Sequence, residues 1–438
     1  MRTKTTLFCA LAASAALLLA SGCKKEKKDP GATGSAAGTA AAGSAAGTAG
    51  AAKGSGDNPL ANTKLGKQIK GIADKVKNLK DTLDNKAEPL TPEKYEALIV
   101  ALESCTLKPN GQIDWKCPAY KALRDAKRNR KTLLKNLLGT NAKIGAKLMK
   151  HKGAAVRWYS IGLMSSAFAG GVKDDNIKAL LEHAKTEKEG PVLIKIANTV
   201  ASNQKKNPEV GDWLIALLKH SDEHVRVAAA YQLTAWGQET KGAGKALAAV
   251  LKKDESDKVK AAACKGAGKL QDESLIPTMA KLAKNKKTPP TVYSACFAGA
   301  VMMWTRWIFP PKKPSRKAYG LTLALLKAKP RDKDHPPWTI VSYFRALQKK
   351  DQDSDKQKTW RAAAKFYKPQ QMMTAIGQVI TDPNAGWMVR SYFVDQIGKM
   401  GATKAMLMKL RKKYKGKEKD YNHGHVIKKL DDWINKSS

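Results

Sequence analysis

Apolar residues recur beyond residue 60 at the three- and four-residue spacing of amphipathic helices, and no stretch shows the alternation of a strand. The first such pattern predicts a helix near residues 62–84 with one narrow apolar face. Its apolar positions are Leu65, Ile69, Ile72, Val76, Leu79 and Leu83. The next helix is expected to begin at Thr91-Pro92-Glu93 and to run to about Ser104. These residues supply an N-cap, a proline at the first helical position and an acidic residue in the first turn.

The middle of the chain repeats one helical pattern. Residues 220–237, HSDEHVRVAAAYQLTAWG, contain a polar turn, a Val-Arg dipeptide, three alanines, an aliphatic residue and a closing glycine. Similar units align on a β-branched residue, in most cases followed by a base: Val156-Arg157, Ile194-Lys195, Val225-Arg226, Val259-Lys260, Val292 and Val389-Arg390. The first five lie 38, 31, 34 and 33 residues apart. A period in this range indicates stacked pairs of helices.

Each repeated unit has a second predicted helix after the first. The clearest examples are AGKALAAVLKK at residues 243–253 and ESLIPTMAKLAKN at residues 273–285. Small residues in the first helix allow neighbouring units to approach closely, and aliphatic residues of both helices fill a continuous core. The base that follows the β-branched residue is expected at the polar edge of the first helix.

These units resemble HEAT-like repeats, in the short bacterial form that also occurs in phycobilisome-lyase-type proteins. The best match lies within residues 382–401 and consists of Asp382, Pro383, Asn384, Val389, Arg390, Ile397 and Gly401. The units at 220–237 and 254–270 also match well, whereas the register loosens between residues 300 and 385. The resemblance covers residues 150–415 and implies an all-α HEAT-like helical-repeat solenoid that serves as a binding scaffold. No lyase site residue of that family can be identified in this sequence.

Pattern and composition divide the chain into five predicted parts. These are a lipoprotein signal peptide at 1–22, a lipidated cysteine with a flexible Ala/Gly/Ser/Thr linker at 23–57, a helical N-terminal cap at 58–150, the repeat solenoid at 151–415, and a C-terminal capping helix at 416–438. The linker lacks large apolar side chains, so it is expected to act as a tether rather than to form a core. The last helix, from about Glu418 to Lys436, has an apolar face that would seal the final repeat.

The amino end resembles the signal peptide and lipobox of bacterial lipoproteins. A positively charged start leads into an apolar run at residues 7–20, too short to span a bilayer, and then into Ala20-Ser21-Gly22-Cys23. The resemblance implies cleavage before Cys23 and acylation of that residue, although Ala20 stands where the family usually has leucine. Lys24 replaces the aspartate that often signals inner-membrane retention, which favours the outer membrane. An ordinary secretory signal cleaved near the same point is the alternative.

The four cysteines beyond residue 100 form two candidate pairs. Cys105 and Cys117 bracket a turn-rich loop, and in an oxidising envelope this spacing predicts a disulfide. Cys264 and Cys296 occupy nearly equivalent places on successive repeats. A disulfide and two buried small apolar side chains are both consistent with that second pattern.

The chain is strongly basic. Lys and Arg number 80 against 38 Asp and Glu, a formal net charge of +42 over 438 residues, and only 13 of the bases are Arg. Lysine is a strongly hydrated point charge, whereas arginine is the usual residue for bidentate contacts to phosphates or base edges. The lysines are spread through nearly every predicted helix. This composition favours a solvated surface with loose attraction to polyanions over specific reading of nucleic acid.

One segment combines aromatic and cationic residues and is the candidate partner-binding site. Its members are Trp304, Arg306, Trp307, Lys312 and Lys313. Aromatic rings beside cations can stack on sugars or bases or hold a partner peptide. The segment also interrupts the repeat period, and such insertions often lie on a binding face. The alternative is that these tryptophans pack within the core or between repeats.

No catalytic, metal or cofactor site is predicted. The sequence lacks a nucleophile elbow, a zinc-protease helix motif and a phosphate-binding loop after a strand. His423-Gly424-His425 has no matched third ligand and is interpreted as polar residues at a helix start. His220 aligns with Asp254 and Asn384, which places it at a turn and favours a structural role.

The sequence therefore predicts a non-enzymatic, lipid-anchored scaffold of the cell envelope that binds a protein partner through its solenoid surface. The first alternative is a lysine-rich binder of envelope polyanions: lipopolysaccharide, polysaccharide or nucleic acid. The second is an enzyme-accessory subunit. Salt distinguishes a protein partner from a polyanion, because counterion release makes the affinity for polyanions fall steeply with salt.

Overall fold

The structure is a computed structural model of the chain. It describes residues 91–129, 138–165, 172, 174–234, 240–305, 313–328, 362–417 and 420–437. All of these belong to one unit of the chain, Pro59–Ser438. The signal peptide, Cys23, the linker and the helix expected near 62–84 lie outside the described residues.

The described part of the chain is helical, which confirms the all-α prediction. Its helices are α1 Pro92–Val100, α2 Pro118–Asn129, α3 Leu138–Leu148, α4 Ala154–Met164, α5 Asp174–Thr186, α6 Gly190–Val200, α7 Pro208–Leu217, α8 Glu223–Gln232, α9 Ala243–Lys253, α10 Asp257–Leu270, α11 Ile276–Lys284, α12 Pro290–Thr305, α13 Arg316–Lys327, α14 Pro369–Thr381, α15 Trp387–Lys399, α16 Lys404–Lys412 and α17 Tyr421–Lys436. Short 3-10 helices follow α1 and α6 and precede α11, at Ala101–Ser104, Ala201–Asn203 and Glu273–Leu275. Within the ranges described, strand-like pairing is limited to one isolated bridge between Leu107 and Ile113.

The N-terminal cap consists of α1, α2 and α3 packed against α4. Thr91 caps α1 as predicted, since its hydroxyl accepts a hydrogen bond from the backbone N–H of Lys94 at 3.3 Å, and a proline follows it. Side chains of the cap form one hydrophobic cluster together with residues of α4, among them Val156 and Tyr159. The hydroxyls of Tyr95 and Tyr159 lie 3.3 Å apart across this junction. Shared burial therefore fixes the cap on the first repeat.

Two rows of helices follow the cap. The first row contains the helices that carry the aligned β-branched residues, α4, α6, α8, α10 and α12, and each of these "first helices" contacts the next one along the chain. The second row consists of α5, α7, α9, α11 and α13, the "second helices", of which α7, α9, α11 and α13 contact one another in chain order. The second helices predicted at 243–253 and 273–285 are confirmed as α9 and as α11 with its preceding 3-10 turn.

The aligned β-branched residues form the buried seam of the first row. Each is at most 4% exposed: Val156, Ile194, Val225, Val259, Val292 and, in α15, Val389. Their common burial confirms the register of the sequence alignment. Burial of these side chains on successive first helices contributes to the packing of each first helix against the next.

The closest approach between first helices is between α10 and α12. A Cβ placed on Gly268 would lie 2.5 Å from the Cα of Gly299 and 2.8 Å from its carbonyl carbon, so the two glycines permit backbone contact. Cys264 and Cys296, both fully buried, are joined by a disulfide at the same junction, with 4.6 Å between their Cα atoms. The sequence pattern was consistent with either a disulfide or two buried thiols at these positions. The structure shows the disulfide.

The C-terminal helix α17 covers the last pair, α15 and α16, as predicted for a cap. Val426 and Leu430 are fully buried in the main core. Trp433 packs over Gly398 in α15, and its indole N–H donates to the carboxylate of Asp395 at 3.0 Å. Among the described residues, no helix combines the length and apolar character that a membrane crossing requires.

Candidate interaction surface

The first helices show a one-sided distribution of charge. Helices α4, α6 and α12 contain no acidic residue, and the acids of α8 and α10, Glu223 and Asp257, lie in the first turn of each helix. The other charged residues of α4, α6, α8 and α10 are bases, and α12 has no charged residue. Because the arginines of α4 and α8 pair with buried carboxylates, the positive charge beyond the first turns lies on α6 and α10, at Lys195, Lys260, Lys265 and Lys269.

A line of side-chain contacts crosses four first helices. We name it the aromatic–lysine row, and it consists of Trp158, Lys195, Asn198, Tyr231, Gln232 and Lys269. The ammonium of Lys195 lies 4.6 Å from the centroid of the Trp158 ring, and that of Lys269 lies 3.6 Å from the centroid of Tyr231. Between them, Gln232 Nε2 donates to Asn198 Oδ1 at 2.5 Å. Contacts thus link α4, α6, α8 and α10 in order.

The loop closed by Cys105 and Cys117 extends this row. The predicted disulfide is present, with 5.6 Å between the Cα atoms. The indole N–H of Trp158 donates to the carbonyl of Gly111 in this loop at 2.8 Å. Gly111 has φ +80°, and a Cβ there would lie 2.6 Å from the side chain of Ile194, so only glycine allows the loop to approach α6 this closely. The same loop holds Trp115, whose side chain is 58% exposed.

The row is accessible and has apolar surface beside it. Tyr231 is 45% exposed, and Lys265, one turn before Lys269 on α10, is also exposed. Half-buried apolar side chains lie on α8, on α10 and on the neighbouring α12: Val227, Ala228, Ala261 and Ala298. Exposed aromatic residues surrounded by shallow apolar surface and cations resemble the centres of many protein interfaces.

An arginine clamp connects the turns before α4 and α6, and its residues are among those that line a cleft of about 720 Å³. Nε and Nη2 of Arg157 each donate to the carboxylate of Glu187 at 2.8 Å. Nη1 donates to the carbonyls of His151 at 2.9 Å and Lys152 at 2.7 Å. One side chain therefore holds the turn before its own helix and the turn before the next first helix.

A second clamp has the same geometry two repeats later. Arg226 donates to the carboxylate of Asp254 at 2.9 and 3.3 Å and to the carbonyls of His220 and Ser221, both at 2.9 Å. In each clamp the acid follows the arginine by about one repeat, 30 residues for Glu187 and 28 for Asp254. Recurrence at equivalent places indicates that each clamp stabilises the packing of one first helix against the next.

The carboxylate of Glu187 is almost completely buried, with 2% of its side chain exposed. Burial alone would raise its pKa, but hydrogen bonds from His183, Arg157 and the backbone N–H of Glu189 outweigh it and lower the pKa to about 2. The hydrogen bonds to Glu187 are also the main cause that raises the pKa of Arg157. The pair is therefore ionised throughout the neutral and mildly acidic range.

The base of the last aligned unit, Arg390, departs from the expectation of a polar helix edge. It is 3% exposed and donates to the hydroxyl of Tyr414 at 3.5 Å, and no described residue accepts a hydrogen bond from its Nε. The Tyr414 hydroxyl in turn donates to the carbonyl of Ile380. Glu418, which follows Arg390 by the 28-residue interval of the second clamp, lies outside the described residues.

The structure corrects one predicted partner-binding residue. Trp304 is fully buried, its indole N–H donates to the hydroxyl of Thr322 at 3.0 Å, and its ring packs on Tyr319 and Tyr367. It is a core residue that joins α12 to the following helices, because aromatic partners distant in sequence cover it. Lys313 is exposed just before α13. The other three candidates lie outside the described residues: Arg306, Trp307 and Lys312.

The histidines that the sequence singled out have structural partners. His220 accepts a hydrogen bond at Nδ1 from the backbone N–H of Asp222 at 3.0 Å, which confirms its role in the turn. His423 pairs with Asp420 at 2.9 Å, whereas His425 stacks on Trp387 with ring centroids 4.5 Å apart. The two side chains of the His-Gly-His motif thus engage different neighbours. In the described ranges, no group of three or more metal-binding side chains comes together.

Sequence reasoning missed the aromatic–lysine row, although its members were visible in the repeats. Trp158 stands at a position where the other units have small or aliphatic residues, and Tyr231 is the one aromatic residue at its aligned position; these departures are the signals in the sequence. Comparison with known proteins adds no guidance: no protein-family model matches the chain, and no curated protein matches it. The proposed function therefore depends on the chemistry of this surface.

Proposed function

We propose that this chain is a non-enzymatic scaffold of the cell envelope that binds a protein partner through the exposed side of its first helices. In this proposal the helices stack as a HEAT-like solenoid, Cys23 is acylated and anchors the chain to a membrane, the outer membrane in preference to the inner, and the linker holds the folded part away from it. The repeat period, the row of contacting first helices and the buried β-branched seam support the solenoid.

The aromatic–lysine row is the observation that carries the proposed binding role. It brings side chains from α4, α6, α8 and α10 into one line, and the Cys105–Cys117 loop joins its end through Trp158. Exposed aromatic residues such as Tyr231 lose water from a large apolar area when a partner covers them, and they have little conformational entropy to lose. A structural role in the core does not require that exposure.

The clamps support the same role by making the surface rigid. Arg157 and Arg226 each fix the turn that starts one first helix to the turn that starts the next. Helices held in this way present their outer side chains in one arrangement, which reduces the entropy lost on binding. Repeat proteins commonly bind partners on such extended surfaces.

A second candidate function is the binding of an envelope polyanion, and the absence of acids beyond the first turn of the first helices favours it. A polyanion held by lysines would be lost at moderate salt because its binding releases counterions. A protein partner that also buries Tyr231 and its apolar neighbours would be retained to higher salt.

The proposal is tested by capturing envelope components on the immobilised full chain, with matched variants and a salt gradient. Tyr231→Asp places a charge in the centre of the row, at a side chain that is already 45% exposed. Met408→Asp makes the same kind of change on α16, where the side chain is 55% exposed. We expect a discrete protein that the wild type and Met408→Asp retain through high salt and that Tyr231→Asp fails to retain. The substitution removes the aromatic contact area and places a carboxylate beside Lys269, and the loss of a central aromatic contact costs about 2 kcal/mol or more at an interface.

Two results would contradict this function. Equal capture by Tyr231→Asp and Met408→Asp would remove the first-helix face from the interaction. Elution of polysaccharide, lipopolysaccharide or nucleic acid at moderate salt, without a retained protein, would favour the polyanion candidate instead. Circular dichroism of both variants controls for folding, and neither exposed position is expected to alter the helical signal.

A further inference from the structure

We infer that the partner binds the aromatic–lysine row through an extended acidic segment of its polypeptide, which crosses the first helices with its carboxylates at Lys195, Lys265 and Lys269. The inference rests on the proposed function, because it specifies the chemistry of the partner at the same surface. It follows from where charge is placed, how the lysines are held, and how far apart they lie.

Three acids at the starts of the first helices are engaged by bases. Glu187 and Asp254 belong to the two clamps. Glu223 accepts hydrogen bonds from Lys258 at 2.8 Å and from Ser256 at 2.6 Å. The members of the row itself include two lysines and no acidic residue, and Lys265 lies one turn away. Such a surface complements carboxylates and disfavours basic partners.

The lysines at the two ends of the row are held in place. A cation–π contact fixes the ammonium of Lys195 beside Trp158 and that of Lys269 beside Tyr231. A lysine held in this way has less rotamer entropy to lose when it meets a carboxylate than a freely moving surface lysine. Lys265 adds a third cation one turn from Lys269 on the same helix.

The spacing of the cations suits an extended chain. Lys195 lies on α6 and Lys269 on α10, with α8 between them, and adjacent packed helices are about 8–10 Å apart, so the two lysines are separated by about 16–20 Å across the helices. Lys195 follows the aligned β-branched residue of its helix by one position and Lys269 by ten, which adds about 14 Å along the helix axis and gives about 21–24 Å in all. An extended polypeptide advances about 3.3 Å per residue, and therefore an acid at each end with five or six residues between them covers about this distance. A segment with acids at both ends and apolar or small residues between them would match the row.

The surface between the lysines favours a polypeptide over a sugar or nucleic acid backbone. Val227, Ala228 and Ala261 are half-buried apolar residues on α8 and α10, which can contact apolar side chains of a bound segment. Lysine attracts carboxylates and phosphates alike, so it is the apolar surface between the cations that favours a polypeptide.

A synthetic peptide tests this inference directly. The probe is a fluorescein-labelled extended peptide with two glutamate pairs separated by about five or six valine and threonine residues, and its control carries glutamine in place of each glutamate. Fluorescence anisotropy with the full chain at low salt is expected to show about tenfold tighter binding of the glutamate peptide, and the preference is expected to fall as salt rises.

Matched lysine variants distinguish binding at the row from attraction to the overall positive charge of the chain. The triple variant Lys195→Gln, Lys265→Gln and Lys269→Gln is expected to weaken binding of the glutamate peptide about tenfold. Lys252→Gln, Lys253→Gln and Lys284→Gln remove the same charge from exposed positions on α9 and α11, and they are expected to change the affinity by less than about twofold. Equal weakening by both triple variants would overturn the inference.

Two other outcomes overturn it, and they differ in what they leave of the proposed function: the first leaves the scaffold function standing, and the second favours the polyanion candidate. If the peptide does not bind while Tyr231→Asp still abolishes capture of the partner, the partner binds the first helices through other chemistry. If a double-stranded DNA oligonucleotide or heparin binds more tightly than the glutamate peptide, and the row triple variant abolishes that binding, the row is a polyanion site and not an acidic-peptide site.

Discussion

Replacing Gly268 with alanine is expected to lower the free energy of unfolding by about 3 kcal/mol or more. Overpacking a rigid core usually costs about 1–3 kcal/mol, and larger costs arise where the clash cannot be relieved. Here the new Cβ would lie 2.5 Å from the Cα and 2.8 Å from the carbonyl carbon of Gly299. These are backbone atoms, so no flexible side chain can move aside, and the Cys264–Cys296 disulfide keeps α10 and α12 from separating.

Gly320 provides the matched control for this prediction. It lies within α13, is exposed, and a Cβ added there meets nothing within 4 Å. Gly320→Ala is expected to raise the free energy of unfolding by about 0.5–1 kcal/mol, because alanine loses less backbone entropy in a helix than glycine. Urea denaturation followed by far-UV circular dichroism measures both. Changes of the same sign and size in the two variants would contradict the close approach of α10 and α12.

Glu187→Gln is expected to lower the free energy of unfolding at neutral pH by about 3 kcal/mol. The substituted amide would retain the shape of the side chain but leave the guanidinium of Arg157, 14% exposed, without a charged partner, and breaking one side of a buried ion pair typically costs about 3–5 kcal/mol. The variant also weakens the acceptor that holds the turn before α6, since the Glu187 carboxylate accepts the backbone N–H groups of Lys188 and Glu189.

The pH dependence of stability gives this prediction a second readout. The folded pKa of Glu187 is about 2, below its ordinary value of 4.5. A lowered folded pKa means that the carboxylate stabilises the fold fully above about pH 4.5 and that this contribution, about 3 kcal/mol, is lost as the pH falls towards 2. The wild type should therefore lose more stability than Glu187→Gln across this window, and the two curves should approach each other near pH 2.

Glu182→Gln is the control for the clamp, because it makes the same substitution in the same repeat. Glu182 is 69% exposed and pairs with the exposed Lys185. Surface pairs of this kind contribute little, and the change is expected to stay within about 0.5 kcal/mol. If Glu187→Gln behaved like Glu182→Gln at neutral pH and in acid, the clamp would not stabilise the stacking of repeats.

Local features of this fold could be predicted from the sequence because they depend on neighbouring residues. The start of α1 at Thr91, the second helices at 243–253 and 273–285, and the Cys105–Cys117 disulfide follow from caps, periodicity and spacing. The burial of the aligned valines follows from the repeat register, since the same side of each first helix faces its neighbour.

Features that join distant parts of the chain could not be predicted in the same way. An aromatic residue beside cations suits either a surface site or a core, and Trp304 is buried because Tyr319 and Tyr367 cover it. The aromatic–lysine row depends on pairs such as Tyr231 with Lys269, each from a different repeat. The second partner of each pair becomes known only when the rotation of one helix against the next is known.

The most direct test of the proposed scaffold function is site-specific photo-cross-linking in living cells. A photoreactive phenylalanine derivative replaces Tyr231 in the full chain, and the same residue replaces Met408 as the control on α16. We predict one discrete protein adduct at position 231 that is absent at position 408. An absence of protein adducts at 231, or the same adducts at both positions, would contradict binding of a protein partner by the first helices.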